Sequence, residues 1–203
     1  MCIEFGRFAL RFVVGTLKLS RIGWLLAGIA VAVGLAVPTS PLWAKTDCAS
    51  LDVELAPLAE FTNVECDEAD FRHRDASYSE ELIGATSSTS VFFIHHLKAG
   101  VLTYFERRDT KTLLEGLGDF ASMENWSAAP GGNKFLVARF RGALSNRADV
   151  ELSCFGFSRF TGHVARSSGY RHLLYGFYCA LQSDDISDAD VRRLMAALKF
   201  EFE

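Results

Sequence analysis

The runs Leu152-Ser153-Cys154-Phe155-Gly156-Phe157-Ser158-Arg159-Phe160 and Tyr170-Arg171-His172-Leu173-Leu174-Tyr175-Gly176-Phe177-Tyr178-Cys179-Ala180 decide how the rest of the chain is read. Both are aromatic, free of proline and apolar over lengths that suit strands. Setting Cys154 opposite Cys179 centres the connecting turn between Arg166 and Ser167, inside the polar segment Thr161 to Ser168. The loop thus falls where an antiparallel pair joined by a disulfide needs one. The same register places Phe157 opposite Gly176 and Gly156 opposite Phe177, so aromatic rings can cover the gaps that glycines leave. Both faces of this pair are apolar, which calls for helices or chain segments packed on each side.

Working outward, strands are expected near Lys134 to Arg141, Asp149 to Phe160 and Gly169 to Ala180. The final element reads as a helix, because Ser187 and Asp190 have capping-box spacing and Val191, Leu194, Met195 and Leu198 form one stripe. Upstream, Ser90 to Leu97 and Val101 to Arg107 flank Lys98-Ala99-Gly100 and read as a hairpin, with Phe93 opposite Phe105 and Ile94 opposite Tyr104. Asp109 or Thr110 then caps a helix carrying Leu113, Leu114, Leu117, Phe120 and Ala121, weakened by Gly116 and Gly118. Asn125 to Asn133, with Trp126 and Pro130-Gly131-Gly132, reads as a linker-like loop. The stretch before residue 90 is polar and turn-rich, with an acidic cluster at Glu65, Asp67, Glu68 and Asp70 and short strands near Val53 to Phe61 and Asp70 to Arg74.

The expected fold is α+β: an antiparallel sheet of about five to seven strands with two helices packed on it, stapled by disulfides. In element order it is similar to the α/β sandwich of extrinsic photosystem subunits and related exported proteins. That similarity implies an α/β sandwich and carries no particular activity with it.

The N-terminus supplies an address. Arg7, Arg11, Lys18 and Arg21 precede an apolar run from Ile22 to Val37, and Pro41-Leu42-Trp43-Ala44 ends the segment, which is the order of a secretory signal. The run falls short of the ~20 residues a spanning helix needs, and Pro38 closes it. Residues 1–44 are therefore expected to be a signal peptide cleaved after Ala44, and residues 45–203 a single α+β domain with no stable membrane anchor. Cys48 follows Lys45-Thr46-Asp47 rather than a lipoprotein motif, so lipidation is not expected. The whole chain has a formal net charge of -4 and loses mostly basic residues with the leader, which argues against nucleic acid as a partner.

Cys2 would leave with that leader, and the four cysteines that stay, Cys48, Cys66, Cys154 and Cys179, form an even set in an export context. Pairing Cys48 with Cys66 and Cys154 with Cys179 closes two local loops and satisfies the strand register. No C-x-x-C or H-x-x-x-H spacing occurs, so neither a metal nor another cofactor is expected.

Chemistry-bearing residues are few. His95 and His96 are adjacent and point to opposite faces of a strand, so they cannot share one metal ion. His163, His172 and Arg171, with Arg159 and Tyr170, gather at the end of the Cys154 to Cys179 hairpin, where loops on a rigid scaffold often carry function. Arg139 and Arg141 share a strand face, and Asp184, Asp185, Asp188 and Asp190 stand at a helix start that favours acids. Asn125-Trp126-Ser127 matches a glycosylation acceptor. Signatures of serine, zinc, phosphate-loop and dithiol chemistry are all absent.

The expectation is a periplasmic or secreted binding or interaction domain without catalytic activity, whose partner is a protein or small molecule of the envelope. One alternative is a small hydrolase or anion-binding enzyme using His163, His172 and Arg171 as catalytic candidates. Another is an envelope structural protein, which would show a broad apolar surface.

Overall fold

The computed structural model describes residues 43–56, 61–72, 77–131, 134–164, 169–181 and 185–200. The proposed leader as far as Leu42, the turn between Arg166 and Ser167, and Asp184 lie outside them. The described strands are β1 (Ala44–Lys45), β2 (Glu54–Leu55), β3 (Asn63–Arg72), β4 (Ser77–Thr86), β5 (Ser90–Ala99), β6 (Phe120–Ala129), β7 (Leu136–Leu144), β8 (Leu152–His163), β9 (Tyr170–Ala180) and β10 (Leu198–Lys199). Helix α1 (Thr110–Leu117) follows β5, and α2 (Asp188–Ala197) follows β9.

The β8–β9 pair holds the register read from the sequence over its whole length, with Cys154 opposite Cys179, Thr161 opposite His172 and His163 opposite Tyr170. Disulfides join Cys154 to Cys179 and Cys48 to Cys66. From this pair the sheet grows both ways, in the order β1-β3-β4-β5-β9-β8-β7-β6, every neighbour antiparallel. Among the described residues the main sheet therefore has eight strands, and β2 and β10 form a separate ribbon. This is more than the expected five to seven, although the α+β class with two helices and two disulfides holds.

The extra strands come from two stretches whose polarity or rhythm hides them. β3 and β4 are full ten-residue partners despite Asp67, Glu68, Glu80 and Glu81, and β4 turns into β5 through Ser87, whose hydroxyl accepts from Thr89 and Ser90 N–H. β4 and β9 thereby take both edges of β5. The expected hairpin around Lys98-Ala99-Gly100 does not form, because no ladder is left for Val101 to Arg107 to join. Val101 and Leu102 are instead over four-fifths exposed, and Phe105 makes a lone bridge to Tyr170.

The second hidden strand is β6, which replaces both the end of the expected α1 stripe and the loop expected from Asn125. Two register irregularities bend it, and Asn125 takes a positive φ of 56° inside one of them. Its partly buried side chains, Phe120, Met123, Trp126 and Ala129, consequently recur every third residue and mimic a helical or irregular pattern. The helix itself stops earlier, at Gly118, whose φ of 73° makes a left-handed cap.

One helix covers each face. α2, with the expected Ser187 and Asp190 capping box, sets Val191, Leu194 and Met195 against Phe92, Ile94, Phe155 and Phe157. On the other face α1 sets Leu113 and Leu114 against Phe140, Leu173 and Phe177. A buried hydrogen bond of 2.8 Å between the hydroxyls of Thr110 and Ser158 ties α1 to β8.

Candidate functional site

Strand alternation sends His95 and His96 to opposite faces of the sheet, and each finds its own carboxylate on β4. His96, 1 % exposed, lies directly opposite Glu81 and donates from Nδ1 to its Oε2 at 3.0 Å. His95 donates from Nε2 to Glu80 Oε2 at 2.9 Å, across one diagonal of the same ladder. Its Nδ1 is buried without a hydrogen-bond partner, and its ring packs 5.0 Å from that of Tyr175. Burial and the Glu80 and Asp119 carboxylates push the Tyr175 hydroxyl well above the usual phenol range.

On the α2 face the His96 pair extends into a chain of groups. His96 Nε2 lies 3.2 Å from His172 Nδ1, a diagonal contact between β5 and β9. Burial, followed by His96 and Lys98, lowers the His172 imidazole to about 4, so it is neutral near pH 7. At the other end the Asp52 backbone N–H is shared between both Glu81 oxygens at 3.2 Å, and the Asp52 carboxylate accepts from Lys98 Nζ at 2.7 Å. Ligand atoms of Asp52, Glu81 and His96 all lie within 4.8 Å of one another.

Beside this chain lies a cavity of about 390 Å³ between α2, β10, β8 and the segment that leads into β7, lined among others by Lys134, Phe135, Arg159, Arg192, Lys199 and Phe200. Arg159 sits 5.6 Å from the Phe135 ring and 5.2 Å from the Phe200 ring, and donates to the Phe200 carbonyl at 2.7 Å. Lys199 donates to Glu54 at 2.9 Å. Among the described residues no ion pair reaches Lys134 or Arg192. Phe200, which lines the cavity, also presents its ring edgewise to His96 at 5.1 Å and His172 at 6.4 Å.

The residues singled out in the sequence are distributed differently from the cluster expected at the hairpin end. His172 joins His96 and Glu81. Arg171 turns to the opposite face and donates to the carbonyls of Gly100, Val101 and Thr103, holding the loop after β5. His163 is exposed and packs edge-on to Tyr170 at 5.6 Å. Arg159 belongs to the cavity instead. Arg139 and Arg141 pair with Asp188 and Asp185, while Asp190 caps α2. The aromatic set divides between the two cores, Phe155, Phe157 and Tyr178 on one face and Tyr175 and Phe177 on the other.

Asp52, Glu80 and Glu81 escaped the sequence reading. They are far in sequence from His95 and His96, and no spacing motif connects them. The signal that could have found the two glutamates was the β4–β5 hairpin, since reading β4 as a strand places Glu81 beside His96 at once, whereas Asp52 comes from outside that ladder.

Comparison with known protein families, curated proteins and solved structures finds no match.

Proposed function

We propose that the protein is an exported, non-catalytic binding domain whose cavity takes a small amphipathic organic anion. The observation that carries this reading is the lining of the cavity: Lys134 and Arg192 supply positive charge without an ion-pair partner among the described residues, and Phe135 and Phe200 supply flat apolar surface. A volume of about 390 Å³ falls within the range of small-molecule sites. The net negative charge of the chain leaves this as a local basic recess rather than a surface suited to polyanions.

Two intramolecular disulfides fit an oxidising environment, as export would provide. Ala44 is the first residue of β1, opposite Glu68, so cleavage after it would leave Lys45 opposite Asp67 as the remainder of that strand. A binding role also agrees with the state of the nucleophile candidates. Cys48, Cys66, Cys154 and Cys179 are tied up as disulfides, and His96 Nε2 meets an imidazole rather than a hydroxyl.

The reading is tested with 8-anilinonaphthalene-1-sulfonate, an aromatic anion, titrated against folded protein by fluorescence and calorimetry. One saturable site is expected, weakened about tenfold or more by the double substitution Lys134→Glu and Arg192→Glu. Absence of saturable binding, or equal binding by the double variant, would reject the cavity as the site.

A further inference from the structure

We propose that Asp52, Glu81 and His96 form a binding site for a divalent transition-metal ion of the zinc class. The donor set is one imidazole nitrogen and two carboxylates, which suits a borderline cation better than a purely hard one. Glu81 and His96 sit opposite each other on β4 and β5, and their facing atoms are already 3.0 Å apart. That separation is close to the ~3.4 Å between neighbouring ligands that a tetrahedral ion with bonds of about 2.1 Å requires. Asp52 closes the set from the segment before β2, within the 4.8 Å limit that encloses all three. It is exposed, so the site opens to solvent and has room for water as a further ligand.

A second, independent feature is the local charge. Glu68 on β3 stands directly opposite Glu81 on β4, and like charges in such a position destabilise a sheet. Among the described residues Lys98 is the cation that meets this group, and its ammonium donates to Asp52 at 2.7 Å. A divalent cation offsets this excess of negative charge where the lysine alone does not.

His172 completes the design from behind. A metal-bound imidazole is oriented by what its other nitrogen bonds, and His96 Nε2 already faces His172 Nδ1 at 3.2 Å. Metal coordination at His96 Nδ1 releases to solvent the proton that was donated to Glu81. The His172 Nδ1 proton passes to His96 Nε2, and His172 regains one from solvent at Nε2, so both imidazoles end neutral. Lys98 competes for Asp52 and must release it as the ion enters.

The experiment is calorimetric titration of chelator-stripped full-length protein with Zn²⁺, paired with Co²⁺ absorption. One ion per chain is expected, together with cobalt ligand-field bands of a low-coordinate site. Asp52→Asn, on an exposed residue that leaves folding intact, should weaken binding about tenfold or more, and Glu81→Gln should do the same. Lys98→Ala should tighten it by removing the competing cation. Failure of the wild-type protein to bind Zn²⁺ stoichiometrically overturns the proposal. So does binding that Asp52→Asn and Glu81→Gln leave unchanged, which would put the ion elsewhere.

Discussion

Gly176 of β9 lies opposite Phe157 of β8, and the phenyl ring occupies the space a side chain at Gly176 would need: an added Cβ would meet Phe157 Cζ at 2.8 Å. The same Cβ would stand 2.0 Å from the Phe93 carbonyl oxygen on β5, a backbone atom that cannot swing aside. Gly176→Ala should therefore cost about 2–4 kcal/mol, through strain at the centre of the sheet. Urea denaturation measures it. A loss below about 0.5 kcal/mol would show that the strands can separate locally. Gly156 differs, since its Cβ would first meet Leu114 Cδ1 on α1, the end of a side chain that can rotate. Gly156→Ala should cost less than Gly176→Ala.

The two bridges should contribute unequally. The chain-entropy model gives each about 3 kcal/mol for loops with sequence separations of 18 and 25. Cys154 and Cys179 are both at most 1 % exposed, so replacing them opens the core at two positions, whereas in the other bridge Cys66 is buried and Cys48 is only half-buried. Alanine pairs at Cys154/Cys179 should thus lose more stability than pairs at Cys48/Cys66, by about 1–2 kcal/mol. Equal losses in the same urea assay would mean that the central bridge adds nothing beyond loop closure.

What the sequence disclosed tracks how the burial pattern is written. β8 and β9 are apolar on both faces and carry a covalent register mark, and α2 carries a capping box, so these were legible. β3 and β4 were not, because acids occupy positions that pair internally, as Glu80 and Glu81 do with His95 and His96. β6 carries the signature of a helix end and a loop because its bulges change a two-residue rhythm into a three-residue one. The site suffered the same loss. His172 could be named from its strand, but its partners lie on β4 and β5, which only the hidden hairpin brings beside it.

Thr110 and Ser158 form the polar joint between α1 and the sheet, both buried, at 2.8 Å. Thr110→Val leaves the Ser158 hydroxyl, 0 % exposed, without this partner and should cost about 1–3 kcal/mol. Adding Ser158→Ala removes the orphaned group and should restore part of the loss. A double-mutant cycle with strictly additive losses would show that the two hydroxyls are not coupled.

Two groups, Asp119 and His172, make stability depend on pH with opposite sign. Burial raises the Asp119 carboxyl from 3.8 to about 6, so the folded chain binds its proton more tightly than the unfolded chain does. The resulting stabilisation is present in full below pH 3.8 and disappears as pH rises through about 6, with a size of about 3 kcal/mol. His172 runs the other way. It is lowered from 6.5 to about 4 by burial, His96 and Lys98, against the opposing pull of Asp52 and Glu81, so its contribution is intact above 6.5 and is lost as pH falls toward 4. The ring is only partly buried, and solvent screening leaves its share nearer about 1 kcal/mol. In chelator-treated protein, Asp119→Asn should exceed wild type in stability at pH 7.5 and converge with it near pH 4. His172→Gln should do the reverse, gaining on wild type only as the solution is acidified. Urea midpoints at several pH values separate the two effects, and parallel curves for wild type and both variants would mean that neither group titrates differently on folding.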